Sequence, residues 1–167
     1  LGAAKITPMA LISPARRIDD VEVFAVAARS ADRAAKFARR HRIPNVCASY
    51  EELVQHADID AIYNPLPNSH HAYWSIEAMK AGKHVLCEKP IASNTDEAAS
   101  MHDIAQAQKR ILMEAFHWRY HPMANRGIEL LRYNTIGRIR HIQATFCIPL
   151  PFKNDIRYTP ELAGGGL

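Results

Sequence analysis

The chain has 167 residues, 48% of them hydrophobic and 23% charged, with a formal charge of +4, which is the composition of a packed globular protein one domain or slightly more in size. No apolar run approaches a membrane span, because the Ala-rich stretch around Phe24 is closed by Arg29 and Arg33. The basic cluster running from Arg29 to Arg42 carries no interleaved aromatic at Arg39, Arg40, His41 and Arg42, so it reads as a solvated helix face and not as a nucleic-acid surface.

In chain order, a helix is expected from Lys5 to Arg16, with Pro8 in its first turn. Val21 to Ala28 is apolar with almost no polar alternation, which suits a strand buried on both faces of a parallel sheet. Ser30 caps a helix to about His41, and a short strand follows through Val46 to Ala48. Ser49-Tyr50-Glu51-Glu52 spells a capping box. Asp60 to Asn64 is a strand, and the turn Pro65-Leu66-Pro67-Asn68 leads into a helix ending at Gly82, with Asn68 as its cap. His84 to Cys87 is the next strand. Asn94 and Glu97 form a second capping box for a helix to about Lys109, and Ile111 to Ala115 is the last strand of this kind.

Such alternation implies an α/β fold built on a doubly wound parallel sheet, which binds ligands at the carboxyl ends of its strands. After Pro122 the pattern changes. A helix to about Leu131 and a breaker at Gly137 precede an alternating segment from Arg138 to Ile148, expected to open a one-sided antiparallel sheet. The division predicted is residues 1–120 as one domain and 121–167 as the beginning of a second α+β domain.

The candidate site residues lie at strand ends. Leu1-Gly2-Ala3-Ala4-Lys5-Ile6 resembles a dinucleotide turn, in which Gly2 turns tightly and the amides beyond it are left for a pyrophosphate; Ala4 and Thr7 replace the second and third glycines of the usual pattern. Arg29 and Ser30 follow the next strand where an NAD-preferring fold has an acidic residue, and Arg33 stands one turn later. Guanidinium groups there favour the 2′-phosphate of NADP over NAD. Pro65, Leu66, Asn68 and His71 are expected beside the nicotinamide ribose, the last two within reach of its hydroxyls.

Glu88-Lys89-Pro90 places two charges directly after a strand buried in the sheet, and charge there needs a reason. Lys89 is the expected catalytic residue, able to assist proton transfer from a substrate hydroxyl, with Glu88 beside the cofactor. Pro90 would fix the turn through a cis bond. Trp118 and Arg119, on the rim after the last parallel strand, are expected as pocket walls. His117 and His121 have a metal-pair spacing only if helical, and Pro122 argues against helix at His121; no metal is expected. Cys47, Cys87 and Cys147 form neither a disulfide framework nor a zinc pattern, which fits reduced thiols in a cytoplasm.

Together GAAKI, ARS, PLPNSHH, AGKHVLCEKP, MEAFHWRYHP and LAGGGL resemble the glucose-fructose oxidoreductase / myo-inositol dehydrogenase family (Gfo/Idh/MocA), nearest its dihydrodiol and NADP-linked xylose dehydrogenases. The resemblance implies a Rossmann domain and then an open-sheet domain that binds substrate and often makes a homo-oligomer. It also implies Lys89 at the substrate hydroxyl and nicotinamide, and a sugar, polyol or dihydrodiol as substrate. The family's first, central strand is expected before Leu1 and its general acid or base beyond Leu167, so the chain is expected to be a piece of a protein about twice as long, inactive alone. A non-catalytic dinucleotide-binding sensor or assembly subunit of the same fold is the alternative reading.

Overall fold

The computed structural model describes residues 1–147 and 158–163. Five short strands alternate with helices: β1 (Ala25–Val26), β2 (Asn45–Val46), β3 (Ala61–Asn64), β4 (His84–Cys87) and β5 (Leu112–Glu114). All pairings are parallel, β1 with β2 in one ladder and β3-β4-β5 in another. No hydrogen bond joins the ladders among the described residues, so the sheet is open between β1 and β3. Leu1 lies at this opening, its amine donating to the Tyr63 carbonyl at 2.7 Å.

The helices are α1 (Ser13–Ala15), α2 (Ala31–His41), α3 (Tyr50–Gln55), α4 (His71–Lys80), α5 (Thr95–Gln108) and α6 (Pro122–Arg132). Three begin on the expected caps: the side chains of Ser30, Ser49 and Asn94 accept from the backbone N–H of Arg33, Glu52 and Glu97. Glu52 and Glu97 reach back to the N–H of Ala48 and Ser93, closing both capping boxes. Helices α4 and α5 pack on each other and on the β3-β4-β5 ladder. Met79, Met101, Val85 and Cys87 there join the same core cluster as Leu1, Ala27 and Ile62, so apolar packing continues across the opening that hydrogen bonds leave.

Several expectations need correction. The helix foreseen from Lys5 starts with a π turn at Pro8–Ile12 before α1. Pro14 has no N–H for the Ala10 carbonyl, and the turn closes instead through Ser13 N–H on Pro8. The strand foreseen from Val21 pairs only at Ala25–Val26, because β2 offers two residues to pair with and none faces Val21 to Phe24. Helix α4 starts on His70 with no side-chain cap, and Asn68 sits in a 3₁₀ turn ahead of it. The segment 138–147 forms no strand, since a ladder needs a partner and none is present among the described residues; Ile148 lies outside them. His121 is extended, as Pro122 implied, so His117 and His121 share no helical face.

Candidate functional site

The strand ends bring most of the candidate residues to one side of the sheet. Gly2 has φ +68°, the left-handed region that glycine alone enters without strain, and a Cβ there would stand 2.9 Å from Leu66 Cδ2. The first turn thus packs against the loop after β3. From Gly2 to Ile6 no backbone N–H donates to any group among the described residues. The Thr7 hydroxyl is buried and has no partner there either. Unclaimed donors on a glycine turn are what a dinucleotide phosphate requires.

Beside this turn lies an open groove of about 760 Å³ lined by Ala3, Ala4, Lys5, Ser30, Arg33, Lys36 and Arg40, among others. Arg33 Nη2 donates to the Ala3 carbonyl at 3.1 Å, so the expected phosphate ligand also braces the glycine turn. Asp32 lines the same groove. The carboxylate missing from the strand end therefore occurs one turn later, outnumbered by cations. Arg29 is exposed and outside the groove lining. Burial raises the nearby Tyr50 phenol, while the Arg33 and Arg29 charges oppose the rise. Tyr50, its hydroxyl 3.9 Å from where a Gly2 Cβ would be, joins the candidate residues, although its capping-box position masked it in the sequence.

The Lys89 turn is built differently. In the sheet register Tyr63 pairs with Leu86, Asn64 with Cys87 and Cys87 with Glu114, so side chains of β3 and β5 flank the residues leaving β4. Tyr63 donates to Glu88 Oε1 at 2.7 Å, and the Lys89 N–H reaches Glu88 Oε2 at 3.3 Å. His71 Nδ1 lies 2.8 Å from the Pro90 carbonyl, and the Ile91 N–H donates to Glu114 Oε1 at 2.9 Å. Cys87 Sγ donates weakly to the Ile91 carbonyl. The Lys89–Pro90 bond is cis, the form foreseen for Pro90. Lys89 itself is exposed, and its ammonium has no partner among the described residues.

Two groups beside the turn stay neutral. Burial and the hydrogen bond to Glu88 raise the Tyr63 phenol far above its ordinary value, so it stays a neutral donor. Burial, aided by the Glu88 and Glu114 charges against a Ser75 hydrogen bond, pushes the Cys87 thiol up to about 12. Cys87 is therefore an inert packing group and not a nucleophile.

The remaining candidates have these surroundings. His71 is 1% exposed and both its ring nitrogens face carbonyl oxygens, Pro90 and Leu66, so neither is open to a ribose hydroxyl in this arrangement. Asn68 donates to the Ala163 carbonyl at 2.9 Å, spanning from the loop after β3 to the far end of the described chain. Trp118 and Arg119 are exposed on a 3₁₀ turn (His117–Tyr120), with Phe116 beside Trp118. Pro65 and Leu66 lie in the loop after β3, where Leu66 stands between the glycine turn and His71.

A parallel ladder with an amide turn that has no partner among the described residues, beside a cationic groove, is the arrangement of a Rossmann-class dinucleotide-binding fold. The chain belongs to the Gfo/Idh/MocA oxidoreductase family, with residues 1–116 matching its model, described as an oxidoreductase family with an NAD-binding Rossmann fold. It is 39% identical over its whole length to D-xylose 1-dehydrogenase (NADP(+)) 2 of Haloferax volcanii, of which it covers 51%. It is 36% identical to trans-1,2-dihydrobenzene-1,2-diol dehydrogenase of Xenopus tropicalis, over 89% of this chain and 44% of that protein. The crystal structure of KijD10, a 3-ketoreductase from Actinomadura kijaniata in complex with NADP and TDP-benzene, superposes with a TM-score of 0.90 at 35% identity, over 98% of this chain and 50% of that one. The chain thus spans about half the length of the relatives it matches. No helix among the described residues is long and apolar enough to cross a membrane.

Proposed function

We propose that this chain supplies the cofactor-binding part of an oxidoreductase that moves hydride between NADP and a hydroxyl-bearing carbon of a sugar, polyol or cyclic dihydrodiol. The observation that carries this reading is the Lys89 turn: its backbone is held by Glu88, His71 and Glu114 while the ammonium is left to reach outward. A base or hydrogen-bond donor for a substrate hydroxyl needs that combination of fixed backbone and free tip.

The residues fit a dinucleotide. The free amides of Gly2, Ala3, Ala4, Lys5 and Ile6 would hold the pyrophosphate, and Ser30, Arg33 and Lys5 around the groove would hold a 2′-phosphate. Arg29 adds charge at the rim, and Pro65 and Leu66 set the width of the cleft. Hydride exchange is the chemistry a nicotinamide supplies when bound. Lys89 takes or returns the hydroxyl proton, and Glu88, fixed by Tyr63, keeps the lysine backbone in place.

Residues 1–120 form the Rossmann unit in this reading, and 121–167 begin a substrate domain that also makes the homo-oligomer contact. The exposed apolar residues Tyr133, Ile136, Ile142 and Phe146 support it, since a surface of that kind is suited to further packing. The test is a titration of NADP and NAD against the full-length protein, followed by turnover with xylose and a dihydrodiol. Tighter NADP binding with turnover is expected. NAD preference would remove the role of Arg33, and cofactor binding without turnover on any polyol or diol would favour the sensor reading.

A further inference from the structure

We propose that His71 is a positioning residue that ties the Lys89 turn to the loop packed on the glycine turn, an inference that rests on the role of Lys89 given above. Its ring is almost wholly buried at the start of α4, and each nitrogen lies 2.8 Å from a carbonyl oxygen, Nδ1 from Pro90 and Nε2 from Leu66. Carbonyls only accept, so the Pro90 contact is a bond when Nδ1 carries a proton, and both are bonds when the ring carries two.

The backbone of His71 is fixed as well. Its N–H donates to the Asn68 carbonyl, and its own carbonyl accepts from Asn64 Nδ2 at 3.2 Å. Leu66, the second ring partner, has its Cδ2 2.9 Å from the point a Gly2 Cβ would occupy. Gly2, Leu66, His71 and Pro90 are thus in sequence of contact, from the amide turn to the residue next to Lys89. Pro90 has no N–H of its own, so its carbonyl is the one polar handle by which that residue can be held. A turn held through that handle keeps the lysine at a set distance from a cofactor seated on the other end.

Asparagine and glutamine separate the two contacts, because the Asn amide nitrogen stands about where Nδ1 does and the Gln nitrogen about where Nε2 does. In the full-length enzyme, His71→Gln is expected to lose the Pro90 bond and lower kcat by roughly 10²-fold, the scale of an ångström-level misplacement, with KM for NADP changed less than about threefold. His71→Asn, keeping the Pro90 bond, is expected to retain at least about tenfold more kcat than the glutamine variant and to weaken NADP instead. A native kcat in His71→Gln, or equal losses in both variants, overturns the proposal.

A measurement on the unaltered protein stands even if a variant fails to fold. With ¹⁵N-histidine labelling, the His71 Nδ1 is expected to show the shift of a protonated donor nitrogen, and an unprotonated Nδ1 overturns the proposal. Lys89→Met, run alongside, separates the two levels of failure. A native rate in that variant removes the role of Lys89 and this proposal with it. A collapsed rate with His71→Gln unaffected removes only the role of His71.

Discussion

The glycine turn and the Lys89 turn face the same end of the sheet and are finished in opposite ways. Around Lys89 the backbone groups meet side chains of Glu88, α4 and β5, Tyr63 of β3 holds the Glu88 carboxylate, and the nearby Tyr63 and Cys87 stay neutral. Around Gly2 the amides through Ile6 have no partners among the described residues, beside a cationic groove. In the proposed function the difference follows from what each end has to hold. A proton-transfer group must sit within a fraction of an ångström of its target, so its support is built from fixed hydrogen bonds. A phosphate brings its own charge and acceptors, and the protein need only keep donors free for it.

That contrast can be broken at either end. Lys89→Met is expected to have the largest effect, lowering turnover on the order of 10²- to 10⁴-fold with NADP affinity within about threefold, as read by steady-state rates and cofactor titration. If affinity fell as far as turnover, the two ends would not be separable. Arg33→Ala acts on the other end. Loss of one charge-assisted bond is worth about 1.5–3 kcal/mol, so NADP should bind roughly ten- to a hundredfold more weakly while NAD changes little, measurable by fluorescence titration. Because Arg33 also braces the Ala3 carbonyl, a parallel loss for NAD would show that bracing dominates.

Gly2→Ala should cost about 1–2 kcal/mol in urea unfolding for the left-handed backbone alone, with more from the Leu66 contact. An unchanged midpoint would mean that the turn can relax, contrary to the packing seen. Tyr63→Phe is the smallest, about 1 kcal/mol at neutral pH for the Glu88 hydrogen bond. It carries a pH signature. The stability gained from the neutral phenol is full below its ordinary value of 10.0 and is lost as pH rises past it, since the unfolded tyrosine ionises there and the folded one does not. The native protein should therefore lose stability above that pH more steeply than the phenylalanine variant, a difference that alkaline denaturation curves would show.

Much of the scaffold was readable from local pattern. The capping residues Ser30, Ser49 and Asn94 act on their own next turn, and the apolar runs of β3 and β4 announce burial without reference to a partner. The Lys89 turn was also readable, because two charges after a buried strand are anomalous wherever that strand lies. Strand length was not. Val21 to Phe24 have strand composition but join no ladder, and 138–147 alternate correctly without one to join among the described residues. Nor were the holders of the turn legible, since Tyr63 to Glu88 spans 25 residues and Glu114 to Ile91 spans 23.

The sequence by itself therefore determined the order of elements up to β5, the caps at Ser30, Ser49 and Asn94, the family and the position of the charged turn at Lys89, all of which depend on neighbours within a helical turn or on motifs read in line. Only the tertiary structure decided which side chains pin that lysine, that His71 turns inward to two carbonyls instead of outward to a ribose, and that Asp32 shares the cationic groove. Those outcomes depend on parallel register and loop packing, which bring together groups tens of residues apart. A hydrogen bond has no local signature until the fold sets its distance.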